Sequence, residues 1–261
     1  MKKRIADGSR IQKIILGGTA ILVFLLIWQL AVSPDNKKFT TPGNVLAFIL
    51  GHLTKNVGQY TILGHIAFSL SRVMVGYLLA AVLGIITALL MSQFKTVEAV
   101  ILPIFNLLRP IPPIGWIPLA ILWFGIQESS KYFIIFISAF VPFVMNTYIG
   151  AKRVDKRLVD AALMLGTSPG KLFTRITFPA IVPQIFAGAQ VALTNAWMAV
   201  IGAELVRSTE GAGWMIMKGM ESANMAQIVA GMVVIGLTGF VIITLMRFLE
   251  RHLIRWNVRG R

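Results

Sequence analysis

The residues able to do chemistry are few and badly placed for it. No cysteine occurs among the 261 residues, which excludes a thiolate nucleophile, a disulfide framework and zinc–thiolate ligation. The three histidines, His52, His65 and His252, are scattered and give no metal-ligand spacing. The stretch Gly166-Thr167-Ser168-Pro169-Gly170-Lys171 imitates the phosphate-cradling loop G-x-x-x-x-G-K-[ST]. It is one residue short between the glycines, and Leu172 stands where a hydroxyl would hold magnesium. The chain itself is therefore expected to bind no ATP, no metal and no other cofactor. What remains are charges stranded in apolar sequence: Arg72, Arg109 and Glu204. Inside a bilayer such groups are expensive and mark a route or a partner.

The elements that position these charges follow from composition. Hydrophobic residues make up 56% and charged residues 13%, with a mean hydropathy of +0.77. A soluble domain carries about 25% charged residues, so a water-facing surface is lacking and lipid is the expected solvent. The chain reads as an all-α polytopic membrane protein, which excludes most soluble enzymes. An integral membrane enzyme would need a nucleophile–base pair or a metal cluster, and none is evident. The net charge of +15 is gathered in short stretches between apolar runs, the pattern of a topology signal rather than of nucleic-acid binding.

Six runs are long enough to span a bilayer: 14–32, 72–91 (with a start possible a few turns earlier), 98–124, 132–151, 182–206 and 226–246. The first is read as an uncleaved helix, because a signal-peptide cut after Ser33 would fall before Pro34. The third is broken by Pro103, Pro110, Pro112, Pro113 and Pro118. Residues 45–53 have helical spacing and are expected along the membrane surface. Gly76, Ala80, Gly84 and Ala88 form a stripe of small residues, as do Gly188, Ala192 and Ala196, and such stripes let helices approach closely in lipid. No internal or inverted repeat is visible.

Placing 1–13, 92–97, 152–181 and 247–261 on one side gathers 17 of the 25 cations, against 6 on the other side. The positive-inside rule then puts both termini in the cytoplasm. Three parts result: 1–68, with the N-tail, first span and amphipathic segment; a core of 69–247 containing the cytoplasmic loop 152–181; and a basic tail, 248–261.

That loop carries the main signal. Residues 155–165 put Leu158, Ala161, Ala162 and Leu165 on one helical face. Gly166 and Pro169-Gly170 break the helix, and a second stretch, 171–178, is expected to end at Pro179. By pattern alone this is either a helix tip seated in another protein's groove or an interfacial hairpin on headgroups.

The spacing resembles the pattern E-A-A-x3-G-x9-I-x-L-P of permease subunits of bacterial ABC importers. Asp160-Ala161-Ala162, Gly166 and Ile176-Thr177-Phe178-Pro179 fall at every interval, with Asp for Glu at 160 and Phe for Leu at 178. Residues 69–77 (Ser-Leu-Ser-Arg-Val-Met-Val-Gly-Tyr), 109–118 (Arg-Pro-Ile-Pro-Pro-Ile-Gly-Trp-Ile-Pro) and 123–126 (Trp-Phe-Gly-Ile) are similar to the taurine, alkanesulfonate, nitrate and bicarbonate permeases. The similarity covers about 69–247.

The resemblance implies a type I ABC importer permease of six helices, N-in and C-in, in the bacterial cytoplasmic (inner) membrane. It implies a second permease copy, normally identical, two cytoplasmic ATPases that bind ATP and magnesium, and an extracytoplasmic substrate-binding protein. It also implies that Asp160, Ala161, Ala162, Gly166, Ile176, Phe178 and Pro179 dock the ATPase. Taurine or an alkanesulfonate is the favoured solute, ahead of nitrate, nitrite or bicarbonate.

For the passage, Arg109 beside the proline break is the first candidate, with Pro112, Pro113 and Trp116. Alternatively Arg109 caps freed carbonyls or pairs with an acid. Glu204 either lines an outer gate or pairs with Arg72 or Arg207. Trp197 is a further candidate, although it and Met198 suit helix packing equally. The outer loop 208–218, with Gly211 and Gly213, reads as part of a binding-protein dock or as a solvated turn. The competing class, an ion-coupled secondary transporter, would need its own coupling-ion site, and no single spanning helix shows the carboxylates for one.

Overall fold

The computed structural model describes residues 2–32, 39–206 and 208–254, with backbone alone over 2–11 and at 14. Among these residues there are helices and turns and no β-strand. They form two compact units.

The first unit takes the described residues up to Leu63 together with Met215–Val233. Helix α1 is Lys2–Ala31 and α2 is Pro42–Gly51. Thr41 caps α2, its hydroxyl accepting from Asn44 N at 3.3 Å, and Pro42 sits where the lost N–H has no helical partner. Trp28 Nε1 donates to the Thr40 carbonyl (3.0 Å) and Gly43 N donates to Gln29 Oε1 (3.2 Å), tying the start of α2 to the end of α1. Leu46 and Leu50 stay exposed, as suits a helix lying on lipid. Elsewhere in this unit, Gly219 lets Ile228 approach and Gln227 Nε2 donates to the Met215 carbonyl at 3.0 Å.

The second unit is Gly64–Trp214 with the described residues from Val234. Its elements are α3 (Ile62–Gln93, whose first two residues lie in the other unit), α4 (Lys95–Leu108), a 3-10 turn (Pro113–Trp116), α5 (Ile117–Phe124) and α6 (Glu128–Lys152). Then follow α7 (Lys156–Met164), α8 (Pro169–Leu172), a π turn (Phe173–Thr177), α9 (Phe178–Val206), the start of α10 (Ala212–Glu221) and the greater part of α11 (Met225–Leu253).

The small-residue stripes make the close helix approaches expected of them. A Cβ at Gly76 would lie 2.6 Å from Ile135, and one at Gly188 would lie 2.8 Å from Asn146, so α3 and α9 both press on α6. Ala80, Ala139, Ala192 and Ala196 are buried with Val73, Ile135, Phe143 and Val200 in the core between them. On the outer faces Leu78, Val82 and Ile86 of α3, and Leu237, Phe240 and Leu245 of α11, remain exposed, as a lipid-facing surface requires.

Among the described residues four stretches are long and apolar enough to cross a membrane: α3, α6, the continuous Pro169–Val206 and α11. The proline-rich run is a bent pair, with α4 and the Pro113–Phe124 segment at 94°. The apolar part of α1, Ile15–Ala31, is at the short end of what spans. The six runs thus fall on helices, the third with its proline break, and several helices extend beyond the expected limits. The second span takes the earlier start left open for it, at Ile62, and the fourth begins at Glu128 rather than Tyr132, because the charges that interrupt the apolar pattern are paired inside the protein. Pro179 does not end its helix either, since α8 runs through the π turn into α9. Phe178 N donates to Phe173 O, five residues back, and this wider turn precedes the proline that lacks an N–H.

Candidate functional site

Three places in the second unit hold the residues singled out by sequence: the outer end of α3, the proline bend and the cytoplasmic α7.

At the outer end, Arg72 is almost wholly buried, and each of its five N–H groups has an acceptor. Nε and Nη2 grip Glu128 at 2.6 and 2.8 Å, Nη1 donates to Glu204 Oε1 and to the Glu210 carbonyl, both at 2.9 Å, and Nη2 also reaches Glu210 Oε1. Glu204 accepts further from Ser69 Oγ (2.8 Å) and Gly213 N (2.9 Å), and Lys131 Nζ donates to Glu128 at 2.7 Å. The loop after α9 is fastened too. Ala212 N donates to Ser69 Oγ at 2.9 Å, Gly211 N to His65 Nδ1 at 3.1 Å, and His65 stacks on Trp214. Gly211 has φ +118°, and a Cβ there would fall 2.3 Å from the Glu204 carboxyl carbon. Of the two partners considered for Glu204, Arg72 is the one found, while Arg207 lies outside the described residues.

Sequence reading missed His65, Ser69, Glu128, Lys131 and Glu210 in this hub. One local signal was available: His65, Ser69 and Arg72 recur at helical spacing on one face. The loop 208–218 is also no solvated turn where it begins, since Gly211, Ala212 and Gly213 are buried and α10 starts at Ala212.

At the bend, Pro112 and Pro113 open a gap between α4 and α5. Two adjoining cavities of about 260 and 340 Å³ lie there, and Pro113, Ser138 and Asn195 line both. Arg109 and Trp116 line the first, and Pro112, Met198 and Gly202 the second. Arg109 is exposed and forms no ion pair with any described residue. Its backbone N–H donates to Phe105 O at 2.9 Å, so it closes α4 by its backbone only. The Trp116 indole N–H is buried with no acceptor among the described residues. Trp197 and Glu204 line neither cavity: Trp197 packs under Gly239 and donates to the Ile235 carbonyl at 3.2 Å.

On the cytoplasmic side, Asp155 caps α7, accepting from Arg157 N at 2.9 Å. The helix closes with Gly166 N donating to Leu163 O (2.9 Å) and Thr167 N to Ala162 O (3.0 Å). This paired closure needs a left-handed residue, and Gly166 has φ +73°. Ala162 is buried, whereas Asp160, Ala161, Met164, Leu165 and Phe178 are exposed, Met164 at 88% and Leu165 at 86%. Ile176 and Pro179 are half-buried. Glu98 joins α4 to α6 near the cytoplasmic face, accepting from Lys152 Nζ at 2.6 Å and from the Tyr148 hydroxyl.

A multi-pass helical membrane protein with its polar groups at an outer hub, a broken span and a cytoplasmic helix tip has the layout of a transport subunit. The family model described as "binding-protein-dependent transport system inner membrane component" matches residues 80–258, and the chain belongs to that family of ABC importer permeases in the inner membrane. It is 33% identical to a putative ABC transporter permease of Methanocaldococcus jannaschii, over 98% of this chain and 97% of the relative. It is 34% identical to the nitrate import permease of Synechocystis (91% of this chain, 88% of that one). With the taurine transport system permease of Escherichia coli it shares 33% identity (76% and 72%). The MetNI methionine ABC transporter, solved in inward-facing conformations, has a chain of similar fold: TM-score 0.59, 16% identity, 74% of this chain and 95% of that one.

Proposed function

We propose that this chain is the membrane-spanning subunit of an ATP-driven importer for a small oxyanion, taurine or an alkanesulfonate in the first place and nitrate, nitrite or bicarbonate after them. The relatives named for nitrate, taurine and aliphatic sulfonates share solutes that carry a compact oxyanion group. Arg109, the unpaired cation at the proline bend, is the matching charge on this side. Arg109, Pro112, Pro113 and Trp116 form the passage wall in this reading, while Glu204 and Trp197 hold the helices that frame it.

The observation that carries the coupling role is the α7 tip. Two large apolar side chains, Met164 and Leu165, stand almost fully exposed between Ala162 and the left-handed Gly166. Such a tip suits a groove on a cytoplasmic ATPase, which would bind the ATP and magnesium. Two ATPases, a second copy of this permease and an external binding protein complete the assembly. A coupling-ion site of a secondary transporter finds less support. Three carboxylates do converge, from α6, α9 and the loop, but Arg72 already occupies the position between them.

The experiment is reconstitution of the complex in proteoliposomes with Gly166→Leu. Loss of ATP-dependent taurine or nitrate uptake, with the permease still folded and its ATPase less firmly bound, is expected. Normal coupled uptake by that variant overturns the coupling assignment.

A further inference from the structure

Asn195 sits near the middle of α9 among apolar and small residues, and it lines both cavities at the proline bend. Its backbone carbonyl accepts from Ser138 Oγ at 3.0 Å, which fixes the register of α9 against α6 at that level. Its carboxamide has no hydrogen-bond partner among the described residues, and the half-buried side chain is left open to the cavities it lines. Met198 and Gly202 follow one and two turns on, on the same cavity wall. Trp116 lines the first cavity too, although its indole N–H is itself buried, and Arg109 brings to that cavity a guanidinium with no ion-pair partner among the described residues. The free groups are thus rich in N–H donors and include one cation, with no carboxylate lining either cavity. Oxygen acceptors bearing negative charge are what such a set complements.

We propose that the Asn195 carboxamide contacts the oxyanion as it passes the proline bend, donating through Nδ2 beside Trp116 and Arg109, and so sets which anions the permease passes. This rests on the oxyanion reading above and adds a selectivity residue to it. The cavities, of about 260 and 340 Å³, have room for a small sulfonate or nitrate.

The test uses the full complex with its ATPase and binding protein in proteoliposomes, with labelled taurine and labelled nitrate as separate probes. Asn195→Asp keeps the shape of the side chain and turns its donor into a negative charge. Uptake of either anion that the parent protein moves should fall at least about tenfold from like-charge repulsion at close range. Asn195→Ser, which keeps a donor, should retain uptake well above the Asp variant and alter the relative response to nitrate and taurine in competition. Both variants should keep the parent's ATPase co-purification and thermal midpoint. Wild-type uptake by Asn195→Asp overturns the inference alone, as does a loss of uptake matched by loss of assembly in both variants, the mark of a packing role. Failure of the parent protein to move any oxyanion overturns the solute reading, and this inference with it.

Discussion

At the outer end of α3 the polar atoms are all spoken for, whereas at the proline bend, between the same α6 and α9, they are not. Arg72 uses all five N–H groups, and both oxygens of Glu128, Glu204 and Glu210 accept a hydrogen bond. At the bend the Trp116 N–H, the Asn195 carboxamide and the Arg109 charge find no acceptor or counter-ion among the described residues. A buried network that is fully satisfied specifies one arrangement and resists change. Groups left open beside a cavity can exchange water for solute without first breaking a bond within the protein. The first pattern suits a fastening, the second the passage proposed for this bend.

The largest effect should come from the hub's centre. Arg72→Lys keeps the charge and loses the planar fork that serves three carboxylates at once. Each charged hydrogen bond of this network that a lysine cannot replace is worth about 1.5–3 kcal/mol, measurable as earlier unfolding in a detergent titration together with poor assembly. A variant as stable as the parent would show that the hub does not fasten these helices. Gly211→Ala comes next. Its φ of +118° and the carboxyl carbon 2.3 Å from the added methyl force the loop off Glu204. Backbone strain alone is worth about 1–3 kcal/mol, and the same titration measures it.

The hub also shows where sequence reading stops. The six runs were legible because lipid demands long apolar stretches, and the break in the third because five prolines crowd it. The start of α3 was not, since His65, Ser69 and Arg72 look like an end of hydrophobicity until their partners at 204–213 are known. Those partners lie 130 or more residues away, and no periodicity links them. Pro179 misled for a local reason, because the π turn that admits it leaves no mark in the pattern. For the passage, Arg109 and Trp116 stood out by type, while Asn195 did not. A lone amide in an apolar run is a weak signal until a cavity is seen beside it.

The bend should answer mutation in the opposite sense from the hub. Trp116→Phe removes a donor that has no acceptor and keeps most of the ring. Stability should be unchanged or raised by about 1 kcal/mol, the typical penalty of an unmet buried donor, while oxyanion uptake falls. A loss of stability as large as that of Arg72→Lys would erase the distinction between the two regions.

The smallest effect should come from the pair nearest the cytoplasm. Glu98 is held by the same chemistry as the hub carboxylates, an ammonium at 2.6 Å and a hydroxyl, but the Lys152 side chain is 44% exposed. Water and salt screen such a pair, and ordering a long lysine offsets much of what attraction remains. Lys152→Met leaves the Tyr148 hydroxyl on Glu98 and should move the thermal midpoint by only about 1 °C, with less change still at high salt. A shift approaching that of Arg72→Lys would mean that the pair is shielded in the assembled transporter, as it would be if the ATPase covered this end of α4 and α6 along with α7. Comparing the variant with and without the bound ATPase separates the two cases.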